Sequence, residues 1–310
     1  MSPENRTDVR GIQIRVPATT ANLGSAFDAV GLALQLYLKV EVRRTSGSAS
    51  RLEFKGEGAG LVPADDSNLI WRVMAGVAGK YRTSLPAFCL RVENEIPITK
   101  GLGSSATACV AAAAAADYLC DLRLKAEDLL SIAAAEEGHP DNVAPALYGG
   151  LVASISTGRI LCSRSAFPSS WTVVAVTPEL ELETRQARAV LPRQVPHADA
   201  VFNVQRAAFL MAQIVQGRRE GVRQAMEDRL HQPYRSALVP GLAEILEMKD
   251  REGLIGVALS GAGSTVVAFA DANAGEIGAE ICRIFARHGL AARARMLQAD
   301  NRGLVMEELT

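Results

Sequence analysis

The stretch PITKGLGSSA, Pro97 to Ala106, gathers a lysine, two glycines and two hydroxyls directly ahead of an alanine-rich run. Gly101 and Gly103 open backbone torsions closed to other residues and permit close approach of a ligand. The N–H groups of Gly103, Ser104 and Ser105 stand where a helix start leaves donors without partners. Their partial positive charge attracts phosphate. The serine hydroxyls can reach a phosphate oxygen or a metal ion. The stretch has neither the G-x-x-x-x-G-K-[ST] pattern nor G-x-G-x-x-G, so the anion site it predicts is of neither common type. Taken alone, a serine-capped helix after a flexible turn explains it equally well.

Two further clusters carry chemistry. In RVPATTANLGSAFDAVGLAL (15–34), Thr19, Thr20, Asn22 and Asp28 fall within ten residues, with Gly24 and Gly31 among and after them. In EEGHPDNVAPALYGG (136–150), the carboxylates of Glu136 and Glu137 precede His139 and the pair Asp141-Asn142, and Pro140 and Pro145 stiffen the segment. A loop cap accounts for Asn22 or Asp28 singly, and a helix end for His139 singly. Neither accounts for the whole run.

Composition excludes several classes. Hydrophobic residues make up 48% of the 310, enough for a real core, and the length suggests two domains. The formal charge of −1 gives no basic excess for nucleic acid, so a phosphate site must be local. The first ten residues, MSPENRTDVR, have no apolar core, and a cytoplasmic protein without a secretory leader is expected. The alanine-rich run is too short to span a bilayer. The five cysteines (Cys89, Cys109, Cys120, Cys162, Cys282) form no C-x-x-C and read as reduced thiols. The four histidines show no metal-ligand spacing.

The elements that must position these clusters follow from periodicity. Ile12 to Val16 alternates as a strand that Pro17 ends, and Leu34 to Val42 is a longer one. Short strands are expected at Leu52–Phe54, Phe88–Ile96, Leu151–Ile155 and Trp171–Val176. Ser67 is placed to cap a helix from Leu69 to Tyr81. Further helices are expected after Gly103, where alanine is the best helix former, and from Lys125 to Glu137, with GHPDN as a loop. A boundary falls in the mixed, charged stretch from Pro178 to Pro196. Helices at Phe202–Gln216, Arg219–Leu230 and Leu242–Arg251 come next. Strands at Ile255–Leu259, Val266–Ala270 and Ala291–Gln298, with a helix at Ala274–Arg287, give an antiparallel α+β order.

The three clusters together resemble the GHMP kinase superfamily, and more narrowly its homoserine kinases. The family's phosphate loop, P-x-x-x-G-L-G-S-S-A, is matched by Pro97 to Ala106. Its N-terminal signature is similar to VPATTANLG-x-x-FD-x-x-G at Val16 to Gly31, and its middle motif to EGHPDNVAPAL-x-GG at Glu137 to Gly150. Its glycine motif near the C-terminus appears as LSGAGST, 259–265. Where the family often has Pro-Gly, this chain has Ser25-Ala26, and where it usually has Pro-Thr or Pro-Ser, this chain has Ser264-Thr265. No functional side chain is lost.

The resemblance implies a two-domain α+β fold around one cleft. Residues 1–177 would form a domain like ribosomal protein S5 domain 2, with a phosphate loop at 97–107, and residues 178–310 a ferredoxin-like domain. It implies ATP-dependent phosphorylation of the hydroxyl of L-homoserine, on the way to threonine, with Mg²⁺ and as a homodimer, without nucleic acid or membrane partners. ATP would be held by Pro97, Lys100, Gly101, Leu102, Gly103, Ser104, Ser105 and Ala106, and Mg²⁺ by Ser105 with Glu137 or Glu136. Asn142 takes a positioning role, and Asp141 that of base or substrate ligand. Asn22, Asp28, His139, Thr184, Arg188, Arg235 and Gly261 would meet the substrate. The alternatives are a kinase for another small alcohol, mevalonate or shikimate, and a non-catalytic ligand sensor on the same fold. HPDN and the paired arginines favour an amino-acid substrate.

Overall fold

The computed structural model describes residues 11–47, 49–249 and 251–309. The ten residues read above for a leader lie outside them, as do Ser48 in the TSGSAS turn and Asp250 in the expected Leu242–Arg251 helix. The described strands are β1 (Gly11–Ala21), β2 (Val30–Arg44), β3 (Arg51–Gly56), β4 (Phe88–Asn94), β5 (Leu151–Ser156), β6 (Ile160–Ser165), β7 (Thr172–Pro178), β8 (Leu254–Leu259), β9 (Val266–Ala270), β10 (Ala292–Leu297) and β11 (Val305–Leu309). The helices are α1 (Leu69–Lys80), α2 (Ser104–Cys120), α3 (Ala126–Glu137), α4 (Pro140–Tyr148), α5 (Thr184–Ala189), α6 (His197–Val215), α7 (Val222–Ala225), α8 (Gln232–Arg235), α9 (Leu242–Leu246) and α10 (Ala274–Arg287).

Two sheets organise the chain. The first runs β11-β1-β2-β4-β3, with β5 pairing the start of β2 and β6 pairing β5. Only β3 and β4 in it run parallel. The second is antiparallel, in the order β10-β7-β9-β8. A division at 177–178 falls inside β7, which belongs to the second sheet, while β11 returns to pair with β1 in the first. The α+β expectation holds in both halves.

α2 explains the alanine run. Ala111 to Ala116 are all fully buried, because the helix lies against α1, α3, α4 and β1 at once. A helix wrapped on every side needs small side chains and shows no polar face.

Several expectations are corrected. Pro17 does not end β1. The register shifts between Pro17 and Ala18, and the strand continues to Ala21. A bulge is where a strand tolerates proline, which has no N–H for the ladder. This extension carries Thr19 and Thr20 into the interior, both 0% exposed. The cap of α1 is Asn68, whose Oδ1 accepts from Ile70 N at 2.9 Å, while Ser67 Oγ donates to Asp65.

HPDN is the start of a helix, not a loop. Pro140 occupies the first turn of α4, where its missing N–H costs nothing. The helices expected at Arg219–Leu230 and Leu242–Arg251 shrink to α7 and α9, and α8 lies between. Asp228 breaks the first of these, accepting from the backbone N–H groups of Leu230, His231 and Gln232. β6 and β11 lack the alternation that would have announced them.

Candidate active site

A cavity of about 520 Å³ is lined from both halves of the chain, from Asn22 through Gly103 and Asp141 to Arg235 and Gly263. It has three regions: a glycine loop, a charged end and an apolar end.

The loop is held rigidly. Gly101 and Gly103 have φ of +82° and +67°. A Cβ on Gly101 would stand 2.3 Å from Ser260 O, and one on Gly103 would stand 1.9 Å from Thr19 Oγ1. Only glycine permits both the torsion and the approach. Thr19 N donates to Leu102 O at 3.1 Å, Thr265 N to Lys100 O at 2.9 Å, and Ser260 Oγ to Gly101 O at 2.6 Å. The loop is therefore pinned between β1 and the SGAGST turn, with Gly103 opening α2. Lys100, Gly101, Gly103, Ser104 and Ser105 line the cavity. Pro97, Leu102 and Ala106 are buried beneath it and do not.

The structure separates the two glutamates. Ser105 Oγ donates to Glu137 Oε2 at 2.7 Å, inside the cavity. Glu136 meets Arg72, itself on the cavity wall, at 2.9 Å and does not line the cavity. No group of three or more His, Cys, Asp or Glu side chains poised for a metal occurs among the described residues. One carboxylate and one hydroxyl still fit Mg²⁺, which keeps several waters and takes much of its shell from substrate phosphates.

At the charged end, Asp28 and Arg188 meet through two bonds of 2.8 and 3.0 Å. This contact raises the Arg188 pKa. Arg235 is 1% exposed yet lines the cavity. Its Nε donates to Ala187 O at 3.1 Å, and its Nη1 to Gly261 O at 2.9 Å and His231 Nδ1 at 3.2 Å. Burial, and then Arg188, pull its pKa down to about 10, so it stays a cation at neutral pH. Both arginines expected to meet the substrate line the cavity, and the fork of Arg188 is taken by Asp28. On Arg235 only Nη2 has no partner among the described residues.

His139 Nδ1 lies 2.6 Å from Asp141 Oδ1, and this hydrogen bond raises the His139 pKa. Thr19 Oγ1 donates to Asn142 Oδ1 at 2.8 Å, which aims the Asn142 amide nitrogen back towards Asp141, 3.4 Å away. Gly31 on β2 lets α4 come this close, since a Cβ there would stand 1.9 Å from Asp141 O. Asn22 is spent on architecture: its Nδ2 donates to Gly261 O and its Oδ1 accepts from Asp28 N, each at 3.0 Å. Thr184 lines the cavity at the start of α5.

Sequence reasoning missed the apolar end, formed by Phe54, Leu61, Val62, Pro63 and Ile98 around Asn68. The long loop at 56–68 was its only signal. The two departures from the family pattern are both anchored by side chains. Ser25 Oγ donates to Ala225 O at 2.7 Å, and Ser264 Oγ to Leu180 O at 2.5 Å.

A glycine loop opening a helix, a Ser–Glu pair beside it and a polar end in the same cleft define a small-molecule kinase of the GHMP type. The family model "GHMP kinases N terminal domain" matches residues 68–150, and "GHMP kinases C terminal" matches residues 210–288. The chain is 39% identical to the homoserine kinase of Moorella thermoacetica over 94% of its own length and 99% of that protein's. It is 43% identical to the homoserine kinase of Solibacter usitatus over 94% and 95%. The crystal structure of homoserine kinase from Cytophaga hutchinsonii superposes with a TM-score of 0.86 at 25% identity, covering 99% of this chain and 100% of that one. The chain belongs to the homoserine kinase family. No described helix is long and apolar enough to cross a membrane.

Proposed function

We infer that the protein transfers the γ-phosphoryl group of ATP to the hydroxyl of L-homoserine, giving O-phospho-L-homoserine. The observation that carries this reading is one cavity in which a backbone-lined anion loop faces a charge pair suited to a zwitterion. Phosphoryl transfer asks the protein for positioning and charge stabilisation more than for covalent chemistry.

The residues divide the work. The N–H groups at Gly103, Ser104 and Ser105 and the ammonium of Lys100 receive the phosphates. Ser105 and Glu137 hold Mg²⁺, which when bound neutralises charge on the transferring phosphoryl group. The apolar end around Phe54 and Val62 takes the base of the nucleotide. Arg235 Nη2 and Arg188 receive the α-carboxylate, and Asp28 the α-ammonium. Asn142, fixed by Thr19, orients the reacting hydroxyl. Asp141 is held by His139 beside that hydroxyl and either accepts its proton or binds the substrate. Asn22 and Gly261 contribute by holding Asp28 and Arg235 in place.

The charge pair also separates the readings. Mevalonate and shikimate carry a carboxylate but no ammonium, so they would offer Asp28 no positive charge beyond the Arg188 it already holds. A sensor would have no use for Ser105 and Glu137 together. Phosphorus NMR of a reaction with ATP, Mg²⁺ and homoserine tests the proposal. A phosphomonoester on homoserine, dependent on both partners, is expected. Turnover of mevalonate or shikimate instead, or homoserine binding with no product, would overturn it. A homodimer is part of the same proposal and is checked by light scattering.

A further inference from the structure

His231 lies outside every motif used so far. It is 0% exposed, and its ring stacks on Phe27 with centroids 4.9 Å apart. Its two nitrogens face opposite ways. Nε2 is 2.8 Å from Gly24 O, and Nδ1 is 3.2 Å from Arg235 Nη1. A carbonyl can only accept and a guanidinium can only donate. The contacts therefore fix one tautomer, with the proton on Nε2 and a lone pair on Nδ1. An imidazolium would place an N–H against Arg235.

The surroundings favour this neutral ring. Burial lowers its pKa, and the Arg235 charge lowers it further, against an opposing pull from Asp228. The Asp228 carboxylate stands 3.6 Å from Nε2. Its charge is already met by Asn203 Nδ2 and the N–H groups of Leu230, His231 and Gln232, at 2.6 to 2.9 Å.

The consequence falls on Arg235. Nη1 spends one N–H on Gly261 O and the other on His231, and Nε spends its own on Ala187 O. The guanidinium plane is thus fixed at three points, and the remaining nitrogen, Nη2, is the one offered to the cavity. We propose that neutral His231 is a positioning residue for substrate selection: its Nδ1 lone pair locks the Arg235 guanidinium so that Nη2 meets the carboxylate of the acceptor. The same ring holds Gly24, in the loop that carries Asp28, through Nε2–H. One imidazole therefore ties together the elements bearing Arg235 and Asp28. This inference rests on the reading of the charged end as the acceptor site.

Two substitutions separate the ring's functions. His231→Asn places an amide oxygen near the Nδ1 position and keeps an acceptor for Arg235, losing the bond to Gly24. His231→Gln places an amide nitrogen near Nε2 and keeps the bond to Gly24, losing the acceptor. KM for homoserine should rise about 10-fold or more in His231→Gln and by several-fold less in His231→Asn, with KM for ATP within about 2-fold in both. Thermal melting controls for folding. A merely structural histidine predicts that loss of activity tracks loss of stability, with no split between the two KM values. That result, or equal homoserine KM values in the two variants, overturns the proposal.

Nitrogen NMR of the imidazole in the wild-type protein gives a readout independent of turnover. A neutral ring protonated on Nε2 is expected throughout about pH 6 to 8. A ring protonated on Nδ1, or a cation, overturns the proposal even if homoserine kinase activity stands. The expected tautomer in a protein that does not turn over homoserine would sink the functional reading and the substrate half of this one, and leave only the lock on Arg235.

Discussion

At one end of the cavity the atoms facing a ligand belong to the backbone, and at the other they belong to long side chains. The glycine loop is local: Lys100 to Ser105 are contiguous, and β1 and the SGAGST turn clamp them through main-chain bonds. The charged end is assembled from Asp28, His139, Arg188 and Arg235, whose bonds cross separations such as the 160 residues between Asp28 and Arg188. A backbone site is specified by what it excludes, namely any side chain at Gly101 and Gly103. A side-chain site is specified by partners, Asp28 and Arg188 being held by each other and Arg235 by Ala187 O, Gly261 O and His231 before any ligand arrives. The two ends should therefore fail differently.

The largest effect is expected at the loop. Gly103→Ala puts a Cβ 1.9 Å from Thr19 Oγ1 at a φ of +67°. Strain at such a residue costs about 1–3 kcal/mol. If Thr19 moves to relieve the overlap, it releases Asn142 as well. Turnover should fall at least about 100-fold, and the melting temperature should fall with it. Steady-state kinetics and calorimetry check both. An active, equally stable variant would mean that the loop is not built by exclusion.

Arg235→Leu should hurt less and more selectively. It leaves the carbonyl of Ala187 and His231 Nδ1 without the Arg235 donor, and leaves Gly261 O with Asn22 Nδ2 alone. kcat/KM for homoserine should fall about 30-fold, near 2 kcal/mol, with KM for ATP barely changed. The variant should also discriminate less against an alcohol lacking the carboxylate. An effect on ATP instead would merge the two ends into one site and break the comparison.

The same contrast explains what could be read before the fold was known. The loop was legible because its chemistry is contiguous, and α2 because alanines favour a helix wherever they are buried. Asp28 and Arg188 were legible as charges but not as a pair, since nothing local links β1–β2 to α5. The placement of Asn142 was hidden by Pro140 and Pro145. Two prolines in HPDNVAP read as loop, yet the first sits in the opening turn of α4. The second lacks the N–H that would have bonded Asp141 O, the very carbonyl that packs against Gly31. His231 carried no signal, because a buried histidine is defined by distant partners, here Gly24 O at a separation of 207 residues.

Ser105 and Glu137 lie between the two ends and use side chains beside the backbone loop. Ser105→Ala should lower kcat about 10-fold, near 1.4 kcal/mol, with KM for homoserine unchanged. Because the two groups touch at 2.7 Å, adding Glu137→Gln should cost less than the sum of the separate losses. Strict additivity in a double-mutant cycle would show that they serve different steps.

The smallest effect is expected one residue away. Glu136 and Glu137 are adjacent in sequence, and only the helical turn at the end of α3 sends their side chains apart. Glu136 meets Arg72 across a pair whose side chains are 40% and 57% exposed. Solvent screens such a pair, and its contribution to stability is about 0–1 kcal/mol. Glu136→Gln should leave kcat and both KM values within about 2-fold and shift the melting temperature by no more than about 2 °C. Its Mg²⁺ requirement, read from the activity at limiting magnesium, should match the wild type, whereas Glu137→Gln should need more of the ion. If the two variants exchange these behaviours, the carboxylate on Arg72 is the one that serves the metal, and the bond between Ser105 and Glu137 belongs to an arrangement the working enzyme abandons.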